Sequence, residues 1–227
     1  VLSNRYNNVD IYNSAEEIIF IGNTAKTFDN FRMYICQFAK GQKLTIRFVN
    51  FNFTTNESAA IGLYEDKGVD LTIDVVGTCS IGTSCTGGNI IDLSQENTAL
   101  TVTGTGKMTI TAGNGANAAQ AGQNGGNGGT GIIASKFSTQ DFSGTLTVYG
   151  GNGGDGAKGA KGTDGNRGAD GQNQGDKGGP GTAGLPGGTG SNGGDGGIAI
   201  KVSSLITQSG ACILSGGAGG TGGMGGT

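Results

Sequence analysis

The sequence contains no histidine and no tryptophan, and only two of its 227 residues are proline. The absence of histidine excludes Ser-His-Asp and Cys-His catalysis and every metal site that needs an imidazole ligand. The four cysteines, Cys36, Cys79, Cys85 and Cys212, show no Cys-x-x-Cys spacing, so a zinc site is not expected. We therefore predict no catalytic residue, no bound metal and no cofactor.

Basic residues and long apolar runs are also scarce. The net charge is −3, so the composition lacks the basic footprint of a nucleic-acid-binding protein. No apolar run approaches the ~20 residues that a membrane-spanning helix needs. The chain starts at Val1 without an initiator methionine or a signal peptide, and it stops inside a glycine pattern. We therefore expect a processed chain or a piece of a longer one.

Glycine is abundant, with 50 residues, most of them after position 112. Between positions 150 and 197 it occupies every third position, with one slip of phase at 172–174. The same spacing recurs in 113–131, where two alanines replace glycine, and in 216–227. Collagen has this period but needs abundant proline. We instead predict extended polyglycine type II helices, which lack internal hydrogen bonds and must bond to neighbouring segments.

The first half of the chain alternates apolar and polar side chains over short runs, which is typical of strands with one buried face. Residues 17–21, 33–38 and 44–49 are predicted strands. From residue 44 a Leu-Thr-Ile phrase recurs, and its first three copies are 27 and 29 residues apart. Its copies begin at Leu44, Leu71, Leu100, Met108 and Leu146. Repeats of this length are typical of solenoids, in which each coil contributes a few strands.

The second half repeats more clearly, because 131–154 aligns without gaps to 197–220, at an offset of 66. Only the glycine tracts vary in length, as solenoids allow at a fixed corner. We predict an all-β fold, a right-handed parallel β-solenoid with inserted polyglycine type II helices that form a bundle. Residues 1–112 would be the solenoid region and 113–227 the coils with glycine-rich insertions. These insertions are 113–131, 150–197 and 216–227.

Two resemblances to known families arise from these motifs. The glycine tracts, with Gly-Gly-Asn-Gly-Gly at 125–129 and Gly-Gly-Asp-Gly-Gly at 193–197, resemble the glycine-rich tip adhesins of tailed phages and the glycine-rich antifreeze proteins of springtails. The Phe-x-x-Asn phrases at 20–23 and 53–56, with a degraded Gly-Gly-Ala-aliphatic phrase at 58–61, are similar to β-helix surface proteins of the polymorphic outer-membrane family.

We expect an extracellular or cell-surface protein with a structural or adhesive function, not an enzyme, that forms part of a fibre, filament or surface layer. Its partners would be further copies of itself, or a longer chain that completes the glycine bundle, with surface glycans as a further candidate. The first alternative is a receptor-binding adhesin tip, whose recognition residues would lie at the turn between the two glycine runs. These residues are Gln172, Asn173 and Gln174.

Two other functions remain open. A carbohydrate-active β-helix enzyme needs paired carboxylates or a basic residue in a groove, although a solvated turn explains the same residues. The candidates are Glu65, Asp66, Lys67, Asp70 and Asp74. An ice-binding protein would need flat rows of threonine, for which a polar outer strand face is the simpler explanation. The threonines with that spacing are Thr101 with Thr103 and Thr109 with Thr111.

Two covalent modifications are also open. Cys79 and Cys85 could close a small disulfide loop, and the alternative is two buried free thiols, because cysteine is often a small buried apolar residue. Asn52 and Asn56 lie in Asn-x-Thr/Ser sequons and are candidate glycosylation sites. Glycosylation there favours an extracellular setting.

Overall fold

The computed structural model describes residues 7–64, 68–170, 172 and 177–226. This part of the chain contains strands and no helix. In chain order the strands are β1 (Asn7–Tyr12), β2 (Glu17–Ile21), β3 (Thr27–Phe28), β4 (Phe31–Cys36), β5 (Lys43–Val49), β6 (Asn52–Thr55), β7 (Ile61–Tyr64), β8 (Asp70–Val76), β9 (Thr78–Thr83), β10 (Ile91–Asp92), β11 (Ala99–Gly104), β12 (Lys107–Thr111), β13 (Ile132–Thr139), β14 (Thr145–Tyr149), β15 (Ile200–Gln208) and β16 (Ala211–Ser215).

These strands pair in parallel and form two sheets. The larger sheet has ten strands, in the order β1-β4-β7-β10-β13-β11-β8-β5-β2, and β15 pairs with β13 off this path. The smaller sheet has six strands, in the order β16-β14-β12-β9-β6-β3. One hydrophobic core lies between the two sheets and draws side chains from both.

The predicted β-solenoid with polyglycine helix insertions is wrong in its architecture, although the all-β prediction is confirmed. The strands form a curled half-barrel of two sheets. The cause is β13, which is long enough to pair with β10 through Ile132 and with β11 through Phe137. Two rows of strands that a solenoid would keep on separate faces are thereby joined in one curled sheet.

The recurring sequence phrases meet in register inside this core. Leu44 lies opposite Leu71, and Leu71 lies opposite Leu100, in the larger sheet. Met108 and Leu146 form the equivalent pair in the smaller sheet. All five side chains are buried, whereas the threonine that follows each of them points away from the core. The phrase therefore predicts the buried face of five strands correctly.

Phenylalanine side chains fill the first part of the core. The ring centroids of Phe48 and Phe51 are 5.8 Å apart, and those of Phe51 and Phe53 are 5.5 Å apart. Phe20 and Phe31 pack on the same group, with 5.6 Å between their ring centroids. Offset and edge-to-face ring pairs at these distances add to the stabilisation from burial.

The chain turns a corner after β8 and after β11, and glycine stands at both corners. Gly77 has a φ of 73° and Gly104 a φ of 100°, in the left-handed region that side chains disfavour. A Cβ on Gly104 would also overlap the carbonyl oxygen of Val75. Glycine is therefore needed at both corners.

The gapless alignment at an offset of 66 is correct for only one of the two strand pairs it covers. In the smaller sheet Thr145 lies opposite Ala211, which is 66 positions later. In the larger sheet Ile132 lies opposite Ile200, although the alignment placed it opposite Ile198. Because the shift is by two residues, the same side chains still point toward the core.

The glycine tracts run as extended segments without helix or regular strand. We name them g1 (113–118), g2 (123–131), g3 (150–170), g4 (177–197) and g5 (216–226). Backbone hydrogen bonds join the segments at every third residue. Gly194 and Gly197 of g4 donate to Gly154 and Gly151 of g3, with N–O distances of 2.8 and 2.7 Å, and Gly217 of g5 donates to Gly197 at 2.9 Å.

These segments lie too close together for side chains at the contact positions. A Cβ on Gly154 would overlap the carbonyl oxygen of Ala116, and a Cβ on Gly194 would overlap that of Gly126. The carbonyl group belongs to the backbone and cannot rotate away as a side chain could. Gly154 and Gly194 each lie one residue after a glycine of the threefold series, and a Cβ on Gly153, which belongs to that series, would likewise overlap the carbonyl oxygen of Gly194. Glycine at both kinds of position thus marks where one segment contacts the next.

Asparagine and aspartate side chains form a second ladder between the segments. Asn114 Oδ1 in g1 accepts a hydrogen bond from the amide of Asn152 in g3, at 2.9 Å. Asn152 Oδ1 in turn accepts one from the amide of Ala218 in g5, at 2.9 Å. A parallel run lies three residues further on, through Asn117, Asp155 and Thr221. The side chains of g1 therefore supply acceptors to g3, and those of g3 supply acceptors to g5.

We expect Gly154→Ala to destabilise the protein by at least about 1–3 kcal/mol, because its Cβ has no room beside a backbone carbonyl. The matched control is Gly179→Ala, whose Cβ would lie 3.8 Å from the nearest atom. That change should be neutral, or stabilising by up to about 1 kcal/mol through the unfolded chain. Denaturant unfolding of the three proteins measures both effects, and equal stabilities would contradict the close packing.

Candidate interaction surfaces

The last strand of each sheet has an open edge. Within the described chain, β15 pairs only with β13 and β16 only with β14. Leu205 lies opposite Phe137, and Leu214 lies opposite Val148. These two partners are buried, whereas Leu205 is 53% and Leu214 is 49% exposed. Apolar side chains at core-facing positions are thus exposed beside unpaired strand edges, a combination that favours pairing with another chain.

The opposite end of the sheets is also open. Among the described residues β1, β2 and β3 each have one strand neighbour. Ile21 on the outer face of β2 is 73% exposed. Both ends of the strand stack can therefore accept further strands.

A cavity of about 450 Å³ lies beside β1. Tyr12 and Tyr64 flank Cys36 on neighbouring strands and are half exposed. The rings of Tyr34 and Tyr64 meet edge to face, 6.2 Å between centroids, and the guanidinium of Arg32 lies 3.9 Å from the Tyr34 ring centroid. The cavity walls are formed by Asn8, Asp10, Tyr12, Tyr34, Cys36, Gln37 and Tyr64. We call this cavity the tyrosine pocket.

The tyrosine pocket combines aromatic rings with hydrogen-bonding groups. Its volume lies within the range of small-molecule sites. Tyrosine rings can pack against the apolar C–H face of a sugar, while carboxylate and amide groups accept or donate hydrogen bonds to its hydroxyl groups. Its chemistry therefore suits a neutral, hydroxyl-rich ligand.

The predicted recognition and catalytic residues are only partly described. Gln172 lies at a bend, whereas Asn173 and Gln174 lie outside the described residues. Asp74 accepts a hydrogen bond from Arg47 Nε at 2.6 Å, and Asp70 lies opposite Lys43 across two strands. The remaining enzyme candidates, Glu65, Asp66 and Lys67, lie outside the described residues.

The threonines considered for ice binding lie on outer strand faces. Thr101 continues a row through Thr72 on the next strand, but the row of Thr103 passes to Asp74 and Arg47. In the smaller sheet, Thr109 lies beside Thr147 and Ser80, while Thr111 lies beside Tyr149 and Gly82. The rows of Thr103 and Thr111 therefore do not continue as threonine on the neighbouring strands, and the Thr145-x-Thr147 pair of β14 lies opposite Lys107 and Thr109 instead of Thr109 and Thr111.

The two candidate disulfide cysteines are free thiols in the structure. Burial raises the pKa of the Cys79 thiol, which keeps it protonated near neutral pH and slows thiolate chemistry.

The two sequons differ in accessibility. Asn52 is buried and its Oδ1 accepts a hydrogen bond from the Ser80 hydroxyl at 2.9 Å, whereas Asn56 is exposed. Only Asn56 has the surface position that a glycan needs.

Within the described part of the chain, no group of three or more His, Cys, Asp or Glu side chains could hold a metal ion. The same residues contain no helix that could cross a membrane. Comparison with known proteins finds no matching family model, no similar curated protein and no similar solved structure.

Sequence reasoning did not identify the tyrosine pocket or the open sheet ends. The spacing between Tyr34 and Tyr64 is close to the length of one repeat. The sequence could therefore have indicated that the two residues lie on neighbouring strands. The position of Tyr12 could not have been inferred in this way, because β1 and β4 pair in parallel but contain no copy of the recurring phrase. The open ends depend on which strand is last in each sheet, a property of topology.

Asp155 is the acidic member of the side-chain ladder between g3 and g5. Its Oδ1 accepts hydrogen bonds from the Thr221 amide, at 2.8 Å, and the Thr221 hydroxyl, at 2.7 Å. These two bonds hold the pKa of the Asp155 carboxyl below its ordinary value. A lowered folded-state pKa means that the stabilisation is complete above the unfolded pKa and is lost as the pH falls through the folded one.

We therefore expect the contact between g5 and g3 to weaken in acid, below about pH 4. Hydrogen exchange at the Thr221 amide, followed by NMR, should show protection that falls with pH after correction for intrinsic exchange. In the control Asp155→Asn, the side-chain oxygen stays an acceptor without titrating, so the corrected protection should not change. Equal pH dependence in both proteins would refute the role of Asp155.

Proposed function

We propose that this chain is an extracellular structural or adhesive protein that assembles into a fibre, filament or surface layer. The observation that carries the proposal is the pair of open sheet ends. Edge strands are usually protected by charge, proline or a covering segment. The last strand, β16, contains none of these residues and exposes Ile213 and Leu214.

The glycine segments support a structural function. They occupy a large part of the chain and bond to one another through the backbone. Such a layer is ordered yet presents few large side chains. An arrangement of this kind suits repeated packing between molecules more than the shaping of a catalytic site.

The assembly proposal predicts concentration-dependent association that a charge on the edge strand weakens. Ile213→Lys places a charge on β16, where the native side chain is 54% exposed, and it should shift the protein toward monomer. The matched control is Leu185→Lys, since Leu185 is 69% exposed in g4 away from the edge. Analytical ultracentrifugation measures the assembly and electron microscopy its shape. A wild-type chain that remains monomeric up to about 0.1 mM would overturn the proposal.

A glycan-binding adhesin is the second candidate, and the tyrosine pocket favours it. The tyrosine rings and the flanking Asp10, Asn8 and Gln37 provide both an apolar surface and hydrogen-bonding groups. A surface glycan would present the neutral, hydroxyl-rich chemistry that these groups suit. The adhesive and structural functions are compatible, because an assembly would display many copies of one weak site.

A glycan array followed by calorimetry tests this second candidate. Tyr64→Ala should lower the affinity for any glycan that binds by about tenfold, because it removes one wall of the pocket. Tyr149→Ala is the control, since Tyr149 is also exposed but lies on β14, away from the pocket. The absence of binding to any glycan, or equal binding by the two variants, would contradict the glycan-binding function.

A further inference from the structure

The outer side of g5 carries glycines that the chain itself does not require. Gly216, Gly219, Gly222 and Gly225 are exposed. The nearest atoms to a Cβ on Gly219 or Gly222 would be carbonyl oxygens at 3.7 Å, an ordinary van der Waals distance. None of these four glycines has the positive φ that disfavours a side chain. Nothing within the described fold explains why glycine stands at every third position here.

The equivalent glycines of g3 show that such positions allow another segment to pack closely against them. Gly153 and Gly156 of g3 correspond to Gly219 and Gly222 in the sequence repeat. A Cβ on Gly153 would overlap the carbonyl oxygen of Gly194, and one on Gly156 would overlap that of Ser191. In g3, therefore, these positions are glycine because another segment lies against them.

Hydrogen bonding shows the same open side. Gly153 and Gly156 donate to Ala218 and Thr221 of g5, at 2.8 and 2.9 Å. The corresponding amides of Gly219 and Gly222 have no backbone acceptor within the described residues. In g4, Asn192 and Asp195 end the side-chain ladder that begins in g2, and the described chain places no further amide on their Oδ1 atoms.

This open layer is continuous with the apolar edge of the smaller sheet, because g5 follows β16 directly in the chain. Neither β16 nor g5 contains a charged residue. The β16 and g5 segments of two copies can therefore face each other without repulsion between like charges, and Asp195 of g4 is an acidic neighbour on this side. The partner must also offer a backbone with glycine at three-residue spacing, and this chain carries one on the same surface.

We propose that two copies of this chain pair across a two-fold axis, with g5 and β16 of one copy facing g5 and β16 of the other. A two-fold contact uses the same patch on both subunits, so the patch must be complementary to itself. The uncharged β16 and g5 segments, with glycine at three-residue spacing, meet this requirement. The amides of Gly219 and Gly222 then donate to backbone carbonyl groups of the partner's g5. This inference rests on the proposed assembly function and specifies its first contact.

Analytical ultracentrifugation of edge-blocked variants tests the contact. Ile21→Lys places a charge on the edge strand β2 at the opposite end of the sheets, where it should weaken strand pairing. A two-fold contact leaves this variant able to form dimers, whereas a head-to-tail contact needs both ends and leaves monomers. Adding Gly219→Val and Gly222→Val should raise the dimer dissociation constant by about tenfold or more, because the side chains keep the segments apart. Adding Gly179→Val instead is the matched control, since this glycine also has open space but lies in g4, away from the contact.

The unfolding temperature of the monomer should be unchanged by the two valines, since their Cβ atoms have room in the single chain. Hydrogen exchange on the wild-type protein gives a second test, in which protection of the Gly219 and Gly222 amides rises with protein concentration. A monomeric Ile21→Lys variant beside an assembling wild type would overturn this inference and leave the proposed function intact. A wild type that never associates would overturn both. Dimers that persist with both valines, or amide protection independent of concentration, would also refute the inference.

Discussion

The close approach of glycine backbones is the constraint on which the rest of this structure depends. Ordering a glycine costs more conformational entropy than ordering any other residue, so an isolated tract of this composition would stay flexible. Here each segment leaves or enters the sheets at a strand end, as g3 does after β14 and g5 after β16. Neighbouring strands lie about 4.8 Å apart, and this spacing brings the attached segments within hydrogen-bonding distance. At positions such as Gly153, Gly154 and Gly194, only glycine tolerates that distance.

The parallel sheets and the glycine layer therefore extend in the same direction. We call a strand of the sheets together with its attached glycine segment a level. Each level supplies carbonyl groups and Asn or Asp side chains to the next, as Asn114 does for Asn152 and Asn152 for Ala218. In the last described level, Ile213 and Leu214 are exposed and the amides of Gly219 and Gly222 have no backbone acceptor among the described residues. In the two-fold dimer that we propose, the two tyrosine pockets would lie at the outer ends. Two weak sites on one particle would raise the avidity for a repetitive surface.

Much of the strand content was predictable from alternating side chains. The Leu-Thr-Ile phrases marked the buried residues of five strands. The larger architecture was not predictable in this way. Whether successive rows form separate faces or one curled sheet depends on β13, whose length lets it pair with both β10 and β11. A periodic pattern reports which face of a strand is buried, but it does not report how adjacent rows join.

Two properties of this fold can be read from local sequence patterns, namely which residues can face the core and where the backbone must lack side chains. Both properties are local, since they follow from the side-chain period of a strand and the threefold period of glycine. Which glycines are in contact and which are open depends on the packing of the segments, because Gly153 and Gly219 have the same local sequence pattern and differ in their neighbours. That Tyr12, Tyr34 and Tyr64 meet in one pocket likewise depends on the tertiary structure, since strand pairing brings together residues that are distant in the chain. Contacts between segments depend on topology, and topology is not encoded in any single repeat.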